Sequence, residues 1–208
     1  MNLNEKEGIS QYIYKIVICG YSGIGKTTMI NKFCNNKWND ECTSTICMEF
    51  YTISKEIRGK YIKYHIWDLS GHEKFRTNTD IKKQYNANCI IITYQANDEN
   101  SLIKLHEIFN ETIINNKIII IACTKYDLLD SLEKQNNEIK KQTKLKERYN
   151  CKIFNISGKF NYGIEEMFNY IGNALLNEFP EQYKLFDKII YPPNLNDKKY
   201  KKINCVIT

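Results

Sequence analysis

The run Gly20-Tyr21-Ser22-Gly23-Ile24-Gly25-Lys26-Thr27 decides the reading of this chain. It fits the pattern G-x-x-x-x-G-K-[ST], and its flanks are those the pattern requires: residues 12–19 read as a buried strand and residues 26–35 as a helix. Glycines let a backbone wrap closely around phosphate oxygens, while successive N–H groups and the helix N-terminus supply positive potential. The Lys26 ammonium is expected between terminal phosphates, and the Thr27 hydroxyl on Mg²⁺. A glycine-rich turn that merely fits the pattern is the competing explanation, and the motifs downstream weigh against it.

Outward from this turn, apolar runs alternate with amphipathic ones. Residues 47–57 and 61–68 read as a hairpin turning at Arg58-Gly59-Lys60, and residues 89–94, 118–123 and 151–156 as three further strands. Leu102, Leu105, Phe109 and Ile113 form one helical stripe, and Ile164, Met167, Phe168, Ile171 and Leu175 another. Both stripes are assigned to core packing. Strands alternating with helices imply a three-layer α/β domain with a mostly parallel, six-stranded sheet covered on both faces. The three prolines, Pro180, Pro192 and Pro193, all follow residue 179. The folded domain is therefore expected over residues 12–179, between an N-terminal extension (1–11) and a C-terminal tail (180–208). With 208 residues, 42% of them hydrophobic, the chain suits one core rather than two.

No stretch approaches the roughly 18–20 apolar residues of a membrane-spanning helix, and residues 1–10 lack a signal-peptide apolar region, so a cytosolic protein is expected. The net charge of +6 comes from basic residues spread along the chain, without the aromatic and basic signature of an RNA-binding module, and no nucleic-acid partner is expected. Eight cysteines include no C-x-x-C pair; Cys19, Cys89, Cys123 and Cys151 sit within or beside apolar runs and read as buried free thiols. His65 and His106 have no metal-like spacing and read as structural.

Two later turns carry the specificity. Thr124-Lys125-Tyr126-Asp127 ends one apolar run and Ile156-Ser157-Gly158-Lys159 ends another, at the sheet edge where open α/β folds bind ligands. Here the sequence resembles the Ras superfamily of small GTPases, P-loop proteins whose guanine-binding motifs are N-K-x-D or T-K-x-D, and S-A-K. The resemblance implies that Asp127 accepts hydrogen bonds from the guanine ring N–H and amino group, while the stem of Lys125 covers the ring. Adenine offers no such pair of donors, so ATP is expected to be rejected. Thr124 replaces the commoner asparagine and Gly158 the alanine; Gly158 still offers its N–H. Trp38 stands where the family places an aromatic ring beside the base, and either stacks there or packs.

The segments Ser44-Thr45-Ile46-Cys47-Met48-Glu49-Phe50 and Trp67-Asp68-Leu69-Ser70-Gly71-His72-Glu73-Lys74-Phe75-Arg76-Thr77 are similar to the Rab forms of the two switch segments, S-T-I-G-V-D-F and W-D-T-A-G-Q-E-R-F-R-T. By that resemblance Thr45 binds Mg²⁺ and the γ-phosphate, Asp68 holds a metal-bound water, and the Gly71 N–H touches the γ-phosphate. The implied nucleotide site takes Ser22, Gly23, Ile24, Gly25, Lys26, Thr27 and Thr28 from the glycine-rich turn. It adds Trp38, Thr45 and Gly71 from the middle of the chain, and Thr124, Lys125, Asp127, Ser157, Gly158 and Lys159 from the base loops. The implied metal ligands are Thr27, Thr45 and Asp68. The resemblance covers residues 12–179. T-K-x-D and a single-cysteine ending also resemble Rho proteins, but residues 128–150 are too few for the extra helix that Rho members insert, which favours Rab.

His72 stands where the family carries the glutamine that orients the attacking water. Slow intrinsic hydrolysis is expected, at or below roughly 10⁻⁴ per second, with acceleration by a partner protein. Two alternatives stay open: a neutral replacement on the loop, or a GTP-loaded, effector-binding module rather than a cycling enzyme. The tail runs through Lys198-Lys199-Tyr200-Lys201-Lys202 to Cys205-Val206-Ile207-Thr208, a C-a-a-X box behind a basic patch, which marks Cys205 for prenylation. Thr208 is outside the usual choices for X and leaves the lipid open, while Asn2 excludes the M-G myristoylation rule. The implied protein is a monomeric GTP/GDP switch with Mg²⁺ in vesicle trafficking, passing between cytosol and the cytoplasmic face of an internal membrane. Implied partners are an exchange factor, a GTPase-activating protein, a GDP-dissociation inhibitor or escort protein, and effectors. A Rho- or Ras-like signalling role is the runner-up.

Overall fold

The computed structural model describes residues 12–36, 48–69, 86–112 and 116–180. Six strands form one sheet: β1 (Tyr12–Gly20), β2 (Glu49–Ile57), β3 (Lys60–Asp68), β4 (Cys89–Gln95), β5 (Ile118–Thr124) and β6 (Lys152–Asn155). Their order is β2-β3-β1-β4-β5-β6, with β2 antiparallel to β3 and every other pairing parallel. Among the described residues, α-helices join them: α1 (Lys26–Asn35), α2 (Glu99–Glu111), α3 (Leu132–Tyr149) and α4 (Ile164–Glu178). The expected three-layer architecture is thus observed.

The side-chain alternation of β1 divides the molecule into two cores. Ile16 and Ile18 face one side, where Met29, Ile30 and Phe33 of α1 meet Phe168, Ile171 and Leu175 of α4. Val17 and Cys19 face the other, with Leu105 and Phe109 of α2 and Leu145 of α3. Buried on both faces, β1 and β4 carry near-continuous apolar runs, as inner parallel strands do. The edge strand β2 alternates, with Thr52, Ser54 and Glu56 exposed. Arg58 and Gly59 both have positive φ (51° and 72°), so the β2–β3 connection is a two-residue turn whose twist matches its strands. Arg58 also clamps the hairpin to α4, donating to Asn173 O at 3.0 Å and Asn177 Oδ1 at 2.9 Å.

Helix α3 is the element that apolar periodicity passes over. Its inward positions 138, 142 and 145 follow helical spacing, but two are filled by Glu138 and Gln142, and only Leu145 is apolar. The ends are well specified: the Ser131 side chain accepts from Lys134 N–H, and Asn150 closes the helix in the left-handed conformation. The Leu102, Leu105 and Phe109 stripe lies on α2 as expected, and Ile113 falls outside the described residues. Among the described residues Cys19, Cys34, Cys89, Cys123 and Cys151 form no disulfide, and no helix is long and apolar enough to cross a membrane.

Candidate functional site

The C-terminal ends of β1, β3, β5 and β6 converge on one edge. Strand β1 ends at Gly20 against β4, where a Cβ would lie 2.0 Å from Thr93 Oγ1 and 2.9 Å from Thr93 O, so only glycine fits. Gly23 and Gly25 take positive φ (77° and 97°), and Gly25 opens α1, whose first turn carries no acidic side chain. That end of the helix dipole is left for an external anion. Lys26 is 5% exposed, and its ammonium donates to Gly20 O at 3.0 Å and Tyr21 O at 2.8 Å, fixing it at the base of the loop.

Asp68, the last residue of β3, is fully buried. The Thr27 hydroxyl donates to its Oδ2, while Oδ1 has no hydrogen-bond partner. Burial pushes the Asp68 carboxyl up to about 6, against the downward pull of the Lys26 ammonium and the Thr27 hydrogen bond. An orphaned buried carboxylate oxygen is costly unless something pairs with it. Beside it lies a hydroxyl, so the donors are hard oxygens of the kind Mg²⁺ takes, and few enough to suit an ion that keeps several waters and binds substrate phosphates. Among the described residues no group of three His, Cys, Asp or Glu could hold a metal on its own. The residues present fit a Mg²⁺ shared with a phosphate ligand.

Thr124 joins this phosphate end to the second loop. Its buried hydroxyl lies 2.6 Å from Ile24 O and 3.0 Å from Tyr94 O; having one proton, it donates to the nearer. Thr124, in place of the commoner asparagine, therefore ties this loop to the glycine-rich turn. Lys125 follows in the left-handed conformation and opens a 3-10 turn over Tyr126–Leu128 that carries Asp127. Backbone bonds fasten this loop to its neighbour: Ile156 N–H to Cys123 O at 2.8 Å, and Tyr126 N–H to Ile156 O at 3.0 Å. Ser157 and Tyr162 exchange backbone hydrogen bonds, and the Ser157 hydroxyl accepts from Phe160 N–H at 3.1 Å. Gly163 closes the turn with φ 74°, where a Cβ would meet Asn155 O at 2.0 Å.

Asp127 and Ser157 share the wall of an open cavity of about 270 Å³ with Tyr126, Phe160 and Tyr162. The Lys159 ammonium lies over the Phe160 ring, 5.4 Å from its centre. Ser22 to Thr28, Asp68, Thr124, Lys125, Asp127 and Ser157 to Lys159 are thus collected on one edge of the sheet. Trp38, Thr45, Gly71, His72 and Cys205 lie outside the described residues. His65 packs edge-on against Phe50, and His106 Nδ1 lies 2.5 Å from the Tyr149 hydroxyl, both in structural roles. Sequence reasoning missed Glu138 and Tyr94, which lie beneath the Thr124 loop; the helix-period stripe 138, 142, 145 with acid and amide in it was the available signal.

Comparison with known proteins bears on the same residues. The family model described as the Ras family matches residues 15–177. Ras-related protein Rab-21 of Mus musculus is 30% identical over 159 residues, spanning 76% of this chain and 70% of that protein. Ras-related protein Rab-13 of Mesocricetus auratus is 29% identical over 166 residues, 79% of this chain and 81% of the relative. Ras-related protein Rab7A of Mesembryanthemum crystallinum is 29% identical over 185 residues, 85% and 89% of the two.

Proposed function

The chain belongs to the Ras family, among its Rab-type members, and from that premise we propose that it is a slowly hydrolysing GTP/GDP switch acting in membrane trafficking. The observation that supports this most is the Thr124 hydroxyl, which ties the glycine-rich turn to the loop of Asp127 and so presents phosphate and base sites as one rigid edge. In this reading the backbone of Ser22 to Thr28 and the Lys26 ammonium hold the phosphates. Asp127 accepts from the guanine N–H and amino group, Lys125 covers the ring, and Ser157, Gly158 and Lys159 line its rim. Trp38 stacks beside the base or serves in packing.

Thr27 and Thr45 would hold Mg²⁺ and Asp68 a water bound to it, with the orphaned Asp68 Oδ1 as the buried oxygen in need of a partner. When bound, the ion neutralises phosphate charge. The Gly71 N–H and Thr45 sense the γ-phosphate, and its loss releases both switch segments. His72 positions the attacking water less well than a carboxamide, so turnover depends on a GTPase-activating partner. The domain at residues 12–179 carries the switch, and the tail at 180–208, prenylated on Cys205, holds it reversibly to an internal membrane. An exchange factor, an escort protein or GDP-dissociation inhibitor, and effectors complete the cycle. The substitution at His72 itself favours a second reading, a GTP-loaded effector-binding module that scarcely cycles.

Competition for bound GDP, followed by single-turnover hydrolysis, tests both. GTP should displace GDP and ATP should not; failure of GTP to compete sinks the switch. Faster turnover by His72→Gln than by wild type identifies His72 as the weak point. Equal or faster turnover by wild type makes the histidine a competent substitute.

A further inference from the structure

Helix α3 buries a carboxylate that would touch neither the phosphates nor the base of a bound nucleotide. Glu138 is 1% exposed. Its Oε1 accepts from the Tyr94 hydroxyl at 2.6 Å and from the Cys123 thiol at 3.7 Å, and its Oε2 accepts from Asn97 N–H at 3.2 Å. Burial pushes both the Tyr94 hydroxyl and the Cys123 thiol well up, which keeps them protonated as donors.

Each donor sits on a segment that carries the base loop. Cys123 immediately precedes Thr124. The Tyr94 carbonyl lies 3.0 Å from the Thr124 hydroxyl. Asn97, in the left-handed conformation (φ 56°), follows Ala96, whose N–H donates to Thr124 O at 2.9 Å. One helical turn beyond Glu138, Gln142 Nε2 donates at 2.7 Å to Asn155 Oδ1, two residues before Ser157. One helix therefore grips both base loops from beneath, and Glu138 is its fully buried contact with the loop of Asp127.

We infer that Glu138 is a positioning residue for guanine recognition, setting the loop of Thr124 to Asp127 through Tyr94, Cys123 and Asn97. The inference rests on the guanine-nucleotide reading of the site. A glutamine here has one acceptor oxygen and an amide that donates, so it accepts from the Tyr94 hydroxyl or from Asn97 N–H but not from both. Where the amide faces Asn97 a donor meets a donor; where it faces Tyr94 the hydroxyl must turn to accept from it, and its own proton and the Cys123 thiol lose the carboxylate oxygen, so in either case the loop above shifts.

The test measures release of GDP and of IDP from the purified full chain. IDP lacks the 2-amino donor that guanine offers to Asp127, so the ratio of the two rates reports the placement of that carboxylate and not the stability of the fold. Glu138→Gln should release GDP about tenfold faster, the scale of one hydrogen bond, with the GDP-over-IDP preference falling several-fold. Acceleration of release by chelating Mg²⁺ should keep its wild-type factor, because Asp68 is untouched. Tyr94→Phe keeps the ring and removes one donor, and should move the ratio the same way by less. Leu145→Ala, which hollows the core under the same helix, should lower the melting temperature and leave the ratio alone. An unchanged ratio in Glu138→Gln and Tyr94→Phe overturns the inference, and Tyr94→Phe decides alone if the glutamine variant does not fold. A wild type that binds GDP no better than ADP instead removes the guanine reading itself.

Discussion

Asp68 is held in a state that suits a ligand better than it suits the fold. In the folded protein burial pushes its carboxyl up to about 6, from 3.8 for an unperturbed one. Below the lower value it is protonated whether the chain is folded or not. Between the two, the folded state keeps a proton that the unfolded state has released, so stability falls as pH rises through this window. Above about 6 the full cost stands; a tenfold change in proton affinity is worth about 1.4 kcal/mol, which sets that cost at roughly 1–3 kcal/mol. Asp68→Asn should therefore raise the stability of the nucleotide-free protein at pH 7, with the gain appearing between pH 4 and 6 in thermal unfolding curves. The same variant should lose the Mg²⁺ dependence of nucleotide retention, since the amide carries no charge for the ion. A variant less stable than wild type across the whole range would show that the Thr27 contact outweighs burial. The identity of Asp68 was legible from its motif; its orphaned oxygen was not, because orphanhood depends on β3 ending beneath the glycine-rich turn.

Helices show where pattern reading succeeds and where it stops. The α4 stripe of Ile164, Met167, Phe168, Ile171 and Leu175 was visible in sequence because every inward position is apolar. Helix α3 was not, because Glu138 and Gln142 point inward to hydrogen-bonding partners that come from β4, β5 and β6. Apolar periodicity cannot register a polar contact whose other half lies elsewhere in the chain. Even a legible helix can conceal a constraint. Gly172 sits in the middle of α4, where glycine ordinarily costs about 1 kcal/mol relative to alanine. Here a Cβ would lie 2.2 Å from the Tyr64 hydroxyl and 3.1 Å from Ile57 Cγ1. That hydroxyl donates to Phe168 O at 3.2 Å and is fully buried, so it cannot swing aside without losing its hydrogen-bond partner. Gly172→Ala should therefore destabilise, by about 1–3 kcal/mol, despite its better helix propensity. Denaturant unfolding checks this, and a stabilised variant would mean that α4 can lift from the sheet without loss.

Across the whole molecule, architecture was readable from sequence because its determinants are local: continuous apolar runs for inner strands, glycine at the turns, and motifs in a fixed order along the sheet edge. The coupling of one part to another was not, since the Thr124 tie between phosphate and base ends spans 100 residues. The tail poses the same question at larger scale, because in the proposed reading its lysines act on the molecule's position. Each of Lys198, Lys199, Lys201 and Lys202 adds about 1 kcal/mol near an anionic leaflet. Replacing all four with alanine in protein prenylated at Cys205 should then lower partition onto phosphatidylserine vesicles by roughly two to three orders of magnitude at low salt. Neutral vesicles should bind the two proteins alike, and about 0.15 M salt should narrow the gap, since it screens charge beyond about 8 Å. Nucleotide release should not change, because the site at the sheet edge uses none of these residues. Cys205→Ser should abolish binding to both kinds of vesicle, because lysines alone do not supply the apolar anchor. An equal loss on neutral and anionic vesicles after lysine replacement would mean that the basic patch acts on something other than lipid charge, and an escort protein would then be the first partner to examine.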